Sequence, residues 1–449
     1  MNPFLRNWAS FGAVPLLLTT IPLLRRHIFR RYLRTIAHDA KFKALASKYV
    51  VPEEHLEPVK FSESLVKERV IALHGQSGIG KTAFLTALAY QCASSSSAVQ
   101  RFSHRITPVF LDLSIASNQT PIDLVQAQLR KHGDLTDEKL AEALLDYGGF
   151  LFLFDGLNEV NETDQKAIVQ FVDVHRKHNC ACVSTQIVTD ELRRFAKLVS
   201  VEPLSRDKIR ALIRMEAKDL KSDEQRFDPE TLLKEFTPVT FTICRVPFQL
   251  ELVIEIWEAS KRIPKDLDEV YSFALGSVVN KEAWADRGHR DYPDILCDLA
   301  FKMLTEKRPY DPKTDYLPDE IRSELVGRRL LVDRGNIMEF RHDRVRAYLA
   351  AQYLDIRWRT LLTAETTLVD QNWDAMLEFC LTVVKTPEIA KEIMFLLARK
   401  DIDTSIRLNR WGRNNRPDLF SSWQDEFSRE IGRRVLDVES PESPRAVSI

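Results

Sequence analysis

Eight consecutive residues, Gly75-Gln76-Ser77-Gly78-Ile79-Gly80-Lys81-Thr82, have the types and spacing that hold a phosphate. Glycines let backbone N–H groups converge on an anion, and a helix that begins near the lysine presents its positive end to that anion. Lys81 then reaches the β- and γ-phosphate oxygens of a nucleotide, and the Thr82 hydroxyl can ligate Mg²⁺. The pattern is G-x-x-x-x-G-K-[ST], a phosphate-binding P-loop, and it carries meaning between a strand and a helix. That context is present. Val70-Ile71-Ala72-Leu73 is an apolar run of buried-strand type, and beyond Lys81 the residues Phe84, Leu85 and Leu88 recur at helical spacing.

A second, acidic element is needed to hold the metal. The apolar run from Gly149 to Phe154 ends in Asp155-Gly156-Leu157-Asn158-Glu159. An Asp at the C-terminal end of a buried strand faces the crevice where open α/β sheets bind ligands. Asp155 and Thr82 are therefore the expected metal residues, and Asp155 and Glu159 the expected catalytic ones. Glu159 can orient or deprotonate the attacking water. As a bland alternative, Asp155 starts a turn before Gly156 and Glu159 is a solvated loop carboxylate.

The elements that must position these groups are also legible. Residues 107–113 and 180–185 read as further strands, the latter ending in polar groups able to face the γ-phosphate. Helical patterns lie between, at Pro121–Lys131 and Asp164–His178. Strands alternating with helices imply an α/β P-loop NTPase core, a doubly wound parallel sheet. Downstream, Phe248, Leu250, Leu252, Val253, Ile256 and Trp257 mark an apolar helix face. Helices at Tyr292–Leu304 and Leu317–Leu325 precede a hairpin, residues 329–332 with 337–340 around Asp333-Arg334-Gly335-Asn336, which fits a winged helix. Trp373, Met376, Leu377, Phe379 and Cys380 open a last helical region. The chain is expected to be mostly α overall.

Together these motifs resemble the NACHT family of signal-transduction NTPases, within the STAND class. The acidic strand FLFLFDGLNEV is similar to the family's apolar strand ending in D-G-x-D-E, with a small residue, Gly156, directly after the magnesium Asp. Residues 201–213 resemble the exit into a helical domain. Arg245-Val246-Pro247 with Phe248 and Leu250 resembles the family's proline motif, and residues 340–351 (FRHDRVRAYLAA) its winged-helix motif. The resemblance implies a nucleotide site built from Gly75 to Thr82, with Pro247 packing near the base and His342 contacting the β-phosphate of ADP. From the residues alone, Pro247 also reads as a first-turn helix proline and His342 as a helix cap. The implied activity is a switch that binds ATP or ADP with Mg²⁺, GTP being the alternative nucleotide. It hydrolyses slowly, opens and self-oligomerises when activated, and answers to an unknown protein effector or trigger. Two positions depart from the family pattern. Asn158 replaces a second acidic residue, and Gln186 replaces an arginine that would make a charge-assisted contact to the γ-phosphate. Both point to slow turnover, and to an alternative reading as a membrane-tethered scaffold that binds nucleotide structurally.

The expected organisation is an apolar segment in residues 1–24, a basic helical linker at 25–60 and a nucleotide-binding domain at 61–205. A helical domain follows at 206–280, then a winged helix at 281–355, a C-terminal helical region at 356–435 and a disordered tail at 436–449. Residues 7–24 carry no charge for 18 positions, with arginines 25, 26, 30, 31 and 34 behind them. That is the lower limit for a membrane span, and the basic flank would keep the following chain cytoplasmic. The alternative is an amphipathic or buried helix. A formal charge of −1 gives no global pull towards nucleic acid, and motor motifs and a basic track are lacking. Six cysteines in 449 residues fit a reducing compartment better than a disulfide scaffold.

Overall fold

The computed structural model of the chain describes residues 29–49, 56–94, 106–113, 119–130, 145–146, 148–186, 188–218, 227–288, 290–305, 317–327, 330–333, 338–340, 342–363, 374–384 and 386–439. It divides into two compact units, Met1–Lys265 and Asp266–Ile449.

In the first unit, five apolar runs form strands β1 (Val70–His74), β2 (Thr107–Asp112), β3 (Phe150–Asp155), β4 (Cys180–Thr185) and β5 (Lys197–Ser200). All pair in parallel, in the order β2-β3-β4-β1-β5. β3 and β4 lie inside the sheet and are buried almost end to end. A parallel sheet covered on both faces needs that continuous apolarity rather than alternation. Pro108, which cannot donate to a ladder, sits in β2 at the sheet edge. Phe150, Phe152 and Phe154 share one face of β3. Phe171, on the helix between β3 and β4, meets Phe152 edge-on at 5.3 Å.

The connection from β1 to β2 crosses the sheet in one direction, and that from β4 to β5 in the other. With right-handed crossovers the two lie on opposite faces, so a crevice opens beyond the C-terminal ends of β1 and β4.

Two N-terminal helices, α1 (Arg30–His38) and α2 (Ala40–Lys48), belong to this unit. Tyr32, Leu33 and Ile36, with Phe29 just before the helix, are buried in the same core as the sheet, and Phe29 meets the Phe150 ring at 5.7 Å. Residues 30–48, expected within a linker, are thus a packed layer. An apolar stripe at positions 29, 32, 33 and 36 lies hidden in an arginine-rich run, with Arg31 and Arg34 exposed on the other face. Three more helices flank the sheet: α3 (Pro58–Glu68), α4 (Lys81–Ala93), which leaves the P-loop, and α5 (Pro121–Arg130). The helix carrying Phe171 is α6 (Glu162–His175), N-capped by Asn161. Beyond β5 come α7 (Arg206–Glu216), capped by Ser205, and α8 (Pro247–Ser260), most of whose apolar side chains are buried. The boundary at Lys265 falls inside the expected 206–280 domain, so α7 and α8 group with the sheet.

Among the described residues the second unit is helical apart from one hairpin. Its helices are α9 (Leu267–Leu275), α10 (Tyr292–Thr305), α11 (Asp319–Gly327), α12 (Asp343–Thr363), α13 (Asp374–Val383), α14 (Pro387–Lys400), α15 (Ile402–Asn415) and α16 (Gln424–Glu439), with shorter turns between. Strands β6 (Leu331–Asp333) and β7 (Met338–Phe340) pair antiparallel, Leu331 opposite Phe340. α12 packs on α10 and α13. Tyr271 and Tyr348 stack at 5.1 Å, and Phe379 meets both edge-on. The Tyr348 hydroxyl donates to Asp268 Oδ1 at 2.5 Å. Arg416 donates to the carbonyls of Leu381, Thr382 and Val384, closing the C-terminal end of α13.

α16 continues through Glu439, past the expected start of the tail, and 440–449 lie outside the described residues. So do the 7–24 segment, Arg25, Arg26, the hairpin tip 334–337 and Trp373. Among the described residues no helix is long and apolar enough to cross a membrane. All six cysteines are buried with free thiols.

Candidate functional site

β1 ends at His74, and the chain turns through Gly75–Gly80 into α4 at Lys81. Gly78 and Gly80 have φ of +75° and +103°, the left-handed region where glycine is nearly without strain. Ile79 is buried and pins the loop to the core. Gln76 and Ser77 complete it at the surface. Lys81 lies along the loop it follows, its Nζ donating to the Gly75 carbonyl at 2.6 Å and the Gln76 carbonyl at 3.0 Å.

Asp155 stands at the C-terminal end of β3. Ser184 Oγ donates to its carboxylate at 2.6 Å, and the Thr82 hydroxyl, in the first turn of α4, lies near enough to favour its charged form. Ser184 in turn accepts the Gly156 N–H at 2.8 Å. Burial pushes the Asp155 carboxyl above its ordinary range. The Ser184 hydrogen bond and the nearby Thr82 hydroxyl oppose that shift, Asp112 adds to it, and Lys81 pulls it back. The two residues expected to hold Mg²⁺ are therefore neighbours. Hydroxyl and carboxylate oxygens are the hard donors that ion takes, and Mg²⁺ completes its shell with water and phosphate oxygens.

Gly156 has φ of +85°. A Cβ there would lie 2.8 Å from Glu159 Cδ and 2.9 Å from its Oε1. The 3₁₀ turn Leu157–Glu159, closed by the Glu159 N–H on the Gly156 carbonyl at 2.8 Å, folds that carboxylate back over the glycine. The small residue after Asp155 thus has a physical cause, because a Cβ there would take the place of the Glu159 carboxylate at a φ that favours glycine.

Pro247 is the first residue of α8, and its Cγ lies 3.9 Å from the place a Cβ on Gly80 would take. The Arg245 carbonyl before it accepts the Leu204 N–H at 2.8 Å, tying the exit from β5 to the proline turn. The first unit thus brings together Gly75 to Thr82, Asp155, Glu159 and Pro247. His342 belongs to the second unit. It immediately precedes α12, where its carbonyl accepts the Val345 N–H at 3.0 Å.

Two residues escaped the motif reading. Asp112 ends β2 in register with Asp155 on the neighbouring strand. Its signal was a carboxylate closing an apolar run, the same signal that marks Asp155. Ser184 was legible only as a polar strand end. The end of β1 carries His74, whose imidazole is held below its ordinary pKa by burial, against the pull of Glu202 and with Lys81 and Arg193 pushing the same way.

The NACHT domain family matches residues 69–219, a span that holds the P-loop, Asp155, Glu159 and β5. The chain carries a NACHT domain. Over that span the chain is similar to the P-loop NTPases of that family. A search of curated proteins returns no match. Among solved structures, a STAND protein with a tetratricopeptide repeat sensor from Pyrococcus horikoshii aligns at 14% identity and a TM-score of 0.38, over 88% of this chain and 59% of that one. The chain thus spans less than two thirds of that protein's length. A Walker-type ATPase of Pyrococcus abyssi aligns at 14% identity and 0.36, over 67% of this chain and 96% of its own. The ORC2 protein of Aeropyrum pernix aligns at 11% and 0.34, over 70% and 97%. At these scores the superpositions add nothing to the NACHT match and the sheet topology.

Proposed function

We infer that the protein is a nucleotide-dependent signal-transduction switch that binds ATP or ADP with Mg²⁺ and hydrolyses ATP slowly. The observation that carries this reading is the closeness of the Thr82 hydroxyl to the Asp155 carboxylate, with Lys81 one residue before Thr82. It brings the end of the P-loop to the end of β3, where the two residues would hold a Mg²⁺ ion and that ion would neutralise phosphate charge. Gly75 to Gly80 cradle the phosphates through backbone N–H groups, and Lys81 neutralises them. Thr82 and Asp155 hold the ion, and Glu159 orients water. Asn158 and Gln186 place no further charge at the site, which supports slow turnover. Pro247 packs beside the P-loop. His342 is carried as a contact to the β-phosphate on the strength of the motif at 340–351. Residues 281–355, with their helices and the β6–β7 hairpin, are read as the winged helix of such a switch. Opening and self-association follow if one conformation binds ADP better than the other.

The test is to purify the chain without added nucleotide, heat-extract it and chromatograph the extract. About one ADP per chain is expected. A site that is empty and then binds ATP only weakly supports the second reading, a scaffold for which nucleotide is structural. The Asn158 and Gln186 substitutions favour that reading.

A further inference from the structure

Three consecutive residues at the end of β4 each bind a different segment of the site. Ser184 bonds Asp155 and the Gly156 N–H. The Thr185 carbonyl accepts the Gly75 N–H at 3.3 Å, at the start of the P-loop. The Gln186 N–H donates to Asn158 Oδ1 at 3.0 Å. A backbone N–H can only donate, so the atom of Asn158 that faces it is the oxygen. Asn158 is 9% exposed, in a loop that already carries Asp155 and Glu159.

A carboxylate at position 158 would accept the same N–H. Asparagine keeps the acceptor and removes the charge. The substitution that looks, in sequence, like a lost acid leaves this bridge intact.

We propose that Asn158 is a positioning residue: it holds the Gln186 backbone so that the end of β4 couples the terminal phosphate of a bound nucleotide to both the P-loop and the acidic loop. The inference rests on the nucleotide reading above. Asp155 would hold the Mg²⁺ that accompanies a nucleoside triphosphate, and the segment bonded to Asp155 therefore belongs to the terminal-phosphate side. An ADP complex does not need that side, whereas an ATP complex does.

The experiment compares the full chain with Asn158→Leu, which removes the acceptor, and Asn158→Asp, which keeps it. Calorimetry with Mg²⁺ gives affinities for ADP and for the β,γ-imido analogue of ATP. Hydrogen exchange without nucleotide follows the Gln186 amide. In Asn158→Leu that amide should exchange at least tenfold faster and analogue affinity should fall about tenfold, the size of one hydrogen bond. ADP affinity should stay within about twofold, which also shows that the variant is folded. Asn158→Asp should keep the amide protected and hold the analogue-to-ADP ratio within about threefold of the parent. An unchanged ratio in Asn158→Leu overturns the proposal. An equal loss of both ligands also overturns it, because the role would then be general scaffolding. A parent chain that binds neither nucleotide refutes the nucleotide reading instead, and the exchange arm still decides whether Asn158 holds Gln186.

Discussion

The two units organise polar groups in opposite ways. In the first, polar groups at and just beyond the ends of buried parallel strands bond one another across the sheet: Ser184 to Asp155, and the Gln186 N–H to Asn158. In the second, a polar contact from Tyr348 to Asp268 is set in an aromatic stack and joins α12 to α9. It braces the helix that His342 precedes. Strand ends in a rigid sheet can fix several groups together, as multi-residue chemistry requires, whereas a braced helix start can present a single contact. On the proposed reading the groups assigned to catalysis, Asp155 and Glu159, both belong to the first unit.

The largest effect expected under this division comes from Asp155→Asn. Turnover should fall at least about 100-fold, as for removal of a key electrostatic group. ADP binding measured in a chelator should change little, and an equal loss in the chelator would move Asp155 from metal holding to plain scaffolding. Gly156→Ala comes next. A Cβ would collide with the Glu159 carboxylate at a φ that costs a non-glycine residue about 1–2 kcal/mol. Steady-state assays should show kcat down by about tenfold or more with ADP affinity retained. Retained kcat would remove Glu159 from the catalytic pair.

His342→Ala probes the second unit. Release of a fluorescent ADP in stopped flow should quicken several-fold, about the 1 kcal/mol of one contact. An unaltered off-rate removes His342 from the site.

The smallest effect concerns acid stability. His175 packs on Phe171 and is held below its ordinary pKa by burial, against the pull of Asp146 at 3.9 Å. A lowered folded pKa means that the unfolded chain binds more protons. The contribution is therefore full above about pH 6.5 and lost as pH falls through the lower folded value. Melting curves at pH 7 and pH 5 should be closer together in His175→Gln than in the parent chain.

What the sequence disclosed follows the same division. The P-loop and Asp155 were legible because their chemistry demands particular residue types at fixed spacing beside a strand. The parallel sheet followed from apolar runs alternating with helices. The layer made by α1 and α2 was not, because its four apolar positions are diluted among arginines and lysines. The bonds made by Ser184 and Asn158 were not legible either. Each joins residues 28 or 29 positions apart, and no local pattern encodes which strand end lies beside which. The closeness of Pro247 to Gly80 is likewise a property of how α8 docks.

The most direct test of the central claim is a calorimetric titration of Mg-ADP and Mg-ATP into the full chain and into Lys81→Ala. Lys81 lies on the loop that should hold the phosphates, and its loss should abolish measurable binding of both. Binding of either nucleotide by Lys81→Ala with the parent's affinity would contradict the assignment of Gly75 to Thr82 as the nucleotide site.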